Sequence, residues 1–265
     1  TQVSESTYFN PQTDRVDVTY TINEGIVAYV DKIKVQGNIK TKDVVIRREL
    51  RIYPGDRFDG GKLKRSKERL QNLGFFEEVG YDVESSASDD PAKRNLVVQV
   101  KESKTGEFSF GGGYSSVDKL IGFVEVAQKN FDWKNFPYFT GGGQDLRLRM
   151  ELVSISKNFD LSFTEPWVFD YPVTFGFDAY RRVRDRATDV GFGYNEKRTG
   201  GDLRLGRELG EYLRGDMMYR LEEVDISSVS SGATNDLKKE VGKNVISSLQ
   251  LGLTQDTTDN VFNPS

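Results

Sequence analysis

Apolar residues along this 265-residue chain follow two different periods, and the change falls near residue 104. From Lys104 onward apolar and polar positions alternate. The clearest run is Asp145 to Val153, with Leu146, Leu148, Met150 and Leu152 on one face and Arg147, Arg149 and Glu151 on the other. Val173, Phe175, Phe177 and Ala179 alternate with Thr174, Gly176 and Asp178, and Val245, Ser247, Leu249, Leu251 and Leu253 alternate with mostly polar neighbours. A period of two is that of a strand with one apolar face. The spacing predicts eight strands, at about 105–115, 119–130, 144–153, 158–165, 172–183, 200–209, 212–224 and 243–254.

Residues 24–103 read instead as one compact α+β unit. Val27 to Val35 is a strand ended by Gly37-Asn38, and Thr41 is placed to cap a helix running to about Arg51. Pro54-Gly55-Asp56 is a turn. A second helix begins near Asp59, with Leu63, Ser66, Leu70 and Leu73 on one face, and Gly74 supplies a left-handed C-terminal cap. Phe75 to Glu84 and Asn95 to Glu102 are strands around a polar loop, so the order is β-α-α-β-β. Asp14 to Thr21 has the pattern of Lys93 to Val100; residues 1–23 therefore read as the closing strands of a preceding copy of the unit.

Alternation alone also fits a soluble antiparallel sandwich. Three features of residues 104–265 point to a transmembrane barrel instead. Charged residues face inward on strands whose other face is wholly apolar, as in a polar lumen. Connections alternate in character, being long and polar at 184–199 and 225–242 and mostly shorter at 131–143, 166–171 and 210–211. Those shorter connections also hold the aromatics, among them Phe131, Trp133, Phe136 and Tyr138, then Trp167, Phe169 and Tyr171, as a girdle at a membrane interface would.

Composition removes several function classes. There is no cysteine and no histidine, which excludes a disulfide framework, zinc–thiolate sites and imidazole acid–base chemistry. The net charge of −4 is spread along the chain, so nucleic acid is not an expected partner. Gly111-Gly112-Gly113 and Gly141-Gly142-Gly143 neither precede a Lys-Ser/Thr nor open a helix, unlike phosphate loops. Glu165 and Asp170 lie near an aromatic turn with no partner at a defined spacing, so no enzyme, metal or cofactor is expected.

The ordered motifs resemble those of the BamA family. In the small unit they are Val35-Gln36-Gly37-Asn38, Thr41, Ile46-Arg47-Arg48-Glu49-Leu50, Gly55 and Arg69-Leu70-Gln71-Asn72-Leu73-Gly74-Phe75-Phe76. In the strand region they are Gly111-Gly112-Gly113-Tyr114, Gln128-Lys129-Asn130-Phe131, Gly141-Gly142-Gly143-Gln144, Phe163-Thr164-Glu165-Pro166-Trp167 and Asp256-Thr257-Thr258-Asp259-Asn260. The resemblance makes residues 24–103 a POTRA domain, with Gly37, Gly55, Gly74 and Phe75 as its structural residues. It makes 104–265 the first half of a barrel, about eight of an expected sixteen strands. The turn at 131–143 is longer than the family's, and its later Val-Arg-Gly-Phe motif is absent. The implied activity is ATP-independent folding and insertion of β-barrel proteins in the outer membrane of a Gram-negative bacterium, with POTRA in the periplasm. Implied partners are nascent outer-membrane β-barrel proteins, periplasmic assembly lipoproteins and outer-membrane lipid.

The expected working element is the first barrel strand, Glu107, Phe108, Ser109, Phe110 and Gly111-Gly112-Gly113. Glycine weakens the packing and register of a strand, and an exposed strand edge can template an incoming strand. The bland alternative is that these glycines let the sheet bend or make room for lumen side chains. POTRA strands near 28–35 or 77–84 are a second expected docking edge. A relative that passes polypeptide through its lumen is the rival reading. A plain porin or a soluble β-rich module is more remote.

Overall fold

A computed structural model describes residues 2–12, 15–23, 26–88, 90–115, 119–154, 156–186, 193–210 and 212–257. Its strands form three sheets. Strands β1 (Gln2–Asn10) and β2 (Arg15–Asn23) make an antiparallel hairpin with Gln2 opposite Asn23.

The second sheet belongs to the α+β unit, in the order β-α-α-β-β: β3 (Tyr29–Gln36), α1 (Asp43–Arg47), α2 (Gly60–Asn72), β4 (Phe76–Ser85) and β5 (Lys93–Glu102). Strand β5 lies in the middle, parallel to β3 and antiparallel to β4, so β3 and β4 are both edges. Helix α2 starts as its sequence predicts, the Asp59 carboxylate accepting from the N–H groups of Gly61 and Lys62. Leu70 and Ser66 are fully buried, and Leu63 and Leu73 pack on the same core with Ile46, Leu50, Ile52, Phe75, Leu96 and Val98. Gly37, Gly55 and Gly74 all have left-handed backbone, at φ +87°, +92° and +70°. At Gly37 a Cβ would stand 1.9 Å from the Val100 carbonyl oxygen, so any side chain would force β3 away from β5.

The first helix departs from expectation. It is one turn, its N-cap is Lys42, and no side chain caps it. Thr41 is buried, and its hydroxyl accepts a hydrogen bond from Asn130 of the strand region. Stiff β-branched residues at Val44, Val45 and Ile46 give the helix little intrinsic drive. Beyond it the Arg51 N–H is taken by the Ser66 hydroxyl, which turns Leu50 and Ile52 into the core.

The third sheet is an eight-stranded antiparallel meander: β6 (Gly106–Ser115), β7 (Lys119–Phe131), β8 (Gln144–Val153), β9 (Ser156–Glu165), β10 (Val173–Arg186), β11 (Tyr194–Glu208), β12 (Leu213–Ser227) and β13 (Gly242–Gln255). Strands β10 to β12 run past the predicted ends, through residues first assigned to long loops. The extensions are charged, but they pair in register: Arg184 opposite Glu196, Lys197 opposite Asp225, and Asp225 opposite Lys243. Opposite charges across strands support pairing where apolar alternation has stopped. A short helix, α3 (Asn235–Lys239), follows β12. The terminal turn expected at 262–265 and the end of the 256–260 signature lie outside the described residues.

One face of the meander is apolar and open, carrying Phe108, Phe110, Leu148, Met150, Leu152, Leu203, Leu205, Leu249, Leu251 and Leu253. The other carries cross-strand ion pairs: Arg149–Glu125 at 3.1 Å, Arg204–Asp178 at 2.8 Å, Arg220–Asp202 at 2.7 Å and Arg198–Glu222 at 3.4 Å. The charges read as inward from the sequence therefore sit together on one side.

Candidate functional site

Strand β6 is an edge, and among the described residues it pairs only with β7. Phe108 and Phe110 point to the open apolar face with their rings 5.9 Å apart, while Glu107 accepts from the Ser109 hydroxyl on the opposite face. The three glycines are not equivalent. A Cβ at Gly111 would meet the Phe123 ring at 2.7 Å, and Arg149 lies over the same ring at 4.8 Å, so Gly111 makes room for a lumen-side stack. Gly112 would meet only the Ile121 carbonyl oxygen, at 3.2 Å, and Gly113 would meet nothing within 4 Å. Side-chain packing thus accounts for Gly111, and Gly112 lies tight against the backbone of β7. Gly113 alone is open, and the run leaves a thin edge.

A second site, which sequence reasoning missed, is the junction between the α+β unit and the sheet. Three successive turns of the sheet touch the unit. In the first, between β7 and β8, the buried Asn130 donates to the Thr41 hydroxyl at 2.9 Å and accepts from the Gly143 N–H at 2.8 Å. The Lys42 N–H donates to the Gly141 carbonyl at 2.9 Å, and the Lys42 ammonium pairs with the buried Asp132. Gly141-Gly142-Gly143 is a close-approach surface: a Cβ at Gly141 would lie 2.1 Å from the Lys40 carbonyl oxygen, and one at Gly143 would lie 2.3 Å from the Arg48 guanidinium. In the second turn, between β9 and β10, the Trp167 indole N–H donates to Glu49 at 3.2 Å. In the third, between β11 and β12, Glu208 pairs with Arg51 and Arg69, each at 3.0 Å.

Glu49 is the centre of this junction. Its carboxylate is buried, pairs with Arg69 at 2.8 Å and accepts from Trp167. Burial alone would lower the Arg69 pKa, but Glu49 and Glu208 outweigh it and hold the guanidinium above its ordinary value. For Arg48 the balance is reversed. Burial dominates and lowers its pKa despite Glu49, Glu165 and Asp170, and its Nε and Nη2 have no hydrogen-bond partner. Arg48 lies under the Trp167 ring at 5.6 Å. The connection at 103–105 is tied at both ends: Ser103 donates to the Phe75 carbonyl at 2.8 Å, and Thr105 accepts from the Lys129 N–H at 2.9 Å.

The aromatics assigned to an interface girdle divide into two groups. Trp133, Phe136, Tyr138, Phe169 and Tyr171 are exposed at the turn end of the sheet. Phe131 instead stacks on Phe139 and meets Phe163 edge-on, and Trp167 faces the junction. Among the described residues no group of acids could hold a metal ion.

Comparison with known proteins agrees with this two-part layout. Residues 28–103 match the POTRA model, described as a surface antigen variable number repeat, and residues 139–265 match the Omp85 superfamily domain. The outer membrane protein assembly factor BamA of Nitratidesulfovibrio vulgaris is 30% identical over 264 residues, covering 100% of this chain and 32% of that protein. The BamA of Neisseria meningitidis is 30% identical over 238 residues, 88% of this chain and 29% of that protein. The chain therefore spans about a third of the length of these relatives. Among solved structures, BamA from Haemophilus ducreyi lacking POTRA domains 1–3 superposes with a TM-score of 0.72 at 23% identity, covering 99% of this chain and 51% of that one. CdiB from Acinetobacter baumannii reaches 0.52 at 15% identity, covering 95% and 46%. A POTRA domain joined directly to antiparallel strands of an Omp85 barrel, with BamA relatives along its whole length, makes this chain a member of the BamA family within the Omp85 superfamily.

Proposed function

We propose that this chain is the junction of an outer-membrane assembly factor that folds and inserts β-barrel proteins without ATP, with its POTRA unit in the periplasm. The observation that carries the reading is the likeness, along the whole chain, to relatives named as outer membrane protein assembly factors. The sheet is physically suited to it. On β13 the apolar row from Val245 to Leu253 spans roughly 27 Å at ~3.4 Å per residue. At the ~40° tilt of strands in outer-membrane barrels the row covers roughly 21 Å of height, most of their ~25 Å apolar band. Barrel closure satisfies every backbone polar group that lipid cannot, so substrate insertion runs downhill and needs only a lower barrier. In this reading the thin edge at Glu107–Gly113 offers its free N–H and C=O groups to a substrate strand. The exposed aromatics of the turns lie at the membrane interface, and POTRA edges β3 and β4 receive nascent barrels or assembly lipoproteins by β-augmentation. Residues 1–23 are the closing hairpin of a preceding POTRA copy. In support, Val3, Phe9, Val16, Val18 and Ile22 share one exposed face of that hairpin, where a copy's own helices would pack.

The test is a cysteine crosslink in the full-length protein, between Ser109 and successive positions on a substrate's last strand during assembly. Residues 1–265 contribute no cysteine of their own to the background. Crosslinks in a two-residue register are expected. An intact, functional barrel with no crosslink would move the first strand's glycines to a curvature role and favour the rival, a relative that passes polypeptide through its lumen.

A further inference from the structure

Beside the junction is a cleft of about 660 Å³ lined by Arg48, Arg51, Lys62 and Arg65, with one carboxylate, Glu208, and with Trp167. Glu208 is already shared by Arg51 and Arg69, Lys62 pairs with Asp56, and Arg65 pairs with Glu68. Arg48, with only 8% of its side chain exposed, leaves Nε and Nη2 without a hydrogen-bond partner, its closest carboxylate oxygen being that of Glu49 at 3.9 Å. Four cations and one carboxylate therefore line the cleft, and two Arg48 N–H groups are taken up by no described residue.

At Leu209 this cleft meets a second one, of about 610 Å³, on the apolar outer face of the sheet. Leu205, Met217, Leu251 and Leu253 line it, with one cation, Arg207, and one carboxylate, Asp216, which is paired with Arg214 at 2.8 Å. Arg207 stands opposite Val173 and Gly215 in the last outward row before the POTRA unit, and it forms no ion pair among the described residues. An unpaired guanidinium in an apolar row, next to a cationic cleft, suits a molecule with an anionic head and a hydrocarbon tail. A free phosphate has no use for the apolar groove, and a zwitterionic head would bring its own cation against the arginines.

We infer that this end of the sheet binds an anionic glycerophospholipid, with the phosphate between Arg207 and the cleft arginines and an acyl chain along the groove of β11, β12 and β13. The inference rests on the reading of the outer face as lipid-facing. It adds a lipid-selective site to a surface that otherwise only needs to be apolar.

The experiment uses the full-length protein in detergent with equal phosphatidylglycerol and phosphatidylcholine of the same acyl chains, and measures retained lipid by native mass spectrometry. Phosphatidylglycerol should be retained several-fold over phosphatidylcholine. Removing one arginine should cost roughly fivefold, the effect of a basic residue beside an anionic headgroup. The double variant Arg207→Gln, Arg65→Gln should lose the preference. Arg207→Lys should keep it, as should Arg181→Gln, a cation on the same face near the far end of β10. Equal retention of the two lipids, a preference unchanged by the double variant, or the same loss with Arg181→Gln would overturn the site. Displacement of the lipid by inorganic phosphate alone would also overturn it, because the groove would then play no part. Failure of the barrel reading itself looks different: the protein would stay in the aqueous phase without detergent.

Discussion

Asn130 shows how much one side chain can carry. It is buried, sits in left-handed backbone at φ +58°, and bridges the two domains by donating to Thr41 and accepting from the Gly143 N–H. Asparagine tolerates that backbone better than most residues, and here its amide supplies one donor and one acceptor to a Thr41 hydroxyl and a Gly143 N–H that have no other side-chain bond among the described residues. Asn130→Ala would leave a hydroxyl and an N–H unsatisfied in a buried place and add backbone strain. The expected loss is about 2–4 kcal/mol of docking stability. It should be read as earlier proteolysis across 103–105 while the isolated sheet keeps its β-signature in circular dichroism.

At the scale of the element, α2 illustrates a helix set by its ends as well as its face. Asp59 receives two backbone N–H groups, and those bonds hold its carboxyl below the usual carboxylate range. A depressed folded-state pKa means the contribution is present above the ordinary aspartate value and is lost as pH falls through the lower folded value. Asp59→Ala should therefore lower the POTRA unfolding midpoint at pH 7, and the gap to wild type should close below about pH 4. A gap that stayed constant with pH would assign the effect to helix propensity rather than to the cap.

For the whole molecule, the question is how firmly the POTRA unit is held against the sheet. Three turns grip it through contacts of different chemistry: the Asn130 and Lys42 bonds, the Trp167–Glu49 bond, and the Glu208 pairs with Arg51 and Arg69. With the short connection tied at both ends, the resting angle between the parts is over-determined. Removing two of the three grips, in Trp167→Ala combined with Glu208→Ala, should broaden the distance distribution between spin labels placed on Lys67 and Ser247. Thermal unfolding of each part should change little. The Glu208 pairs are partly exposed, so raising salt should broaden the wild-type distribution in the same direction, though less.

The sequence by itself determined the elements and their faces. Period-two alternation fixed which side of β8, β10 and β13 is apolar, because successive side chains on a strand point opposite ways whatever the neighbours are. Helical spacing placed Leu63, Ser66, Leu70 and Leu73 on one buried face, and Asp59 and Gly74 marked the ends of α2. Contacts between distant segments could not be read this way. Thr41 carries a good capping side chain, yet the structure spends it on Asn130, 89 residues along the chain. Gly141-Gly142-Gly143 read only as part of a motif unlike a phosphate loop, and it is a surface shaped to fit Lys40 and Arg48. Trp167 read as an aromatic of the membrane interface, and nothing in the sequence signalled that its indole N–H donates to Glu49, 118 residues away. Local periodicity follows from backbone geometry within one segment. The partner of a capping hydroxyl, a glycine or an indole depends on which surfaces the folded chain brings together, and only the tertiary structure decides that.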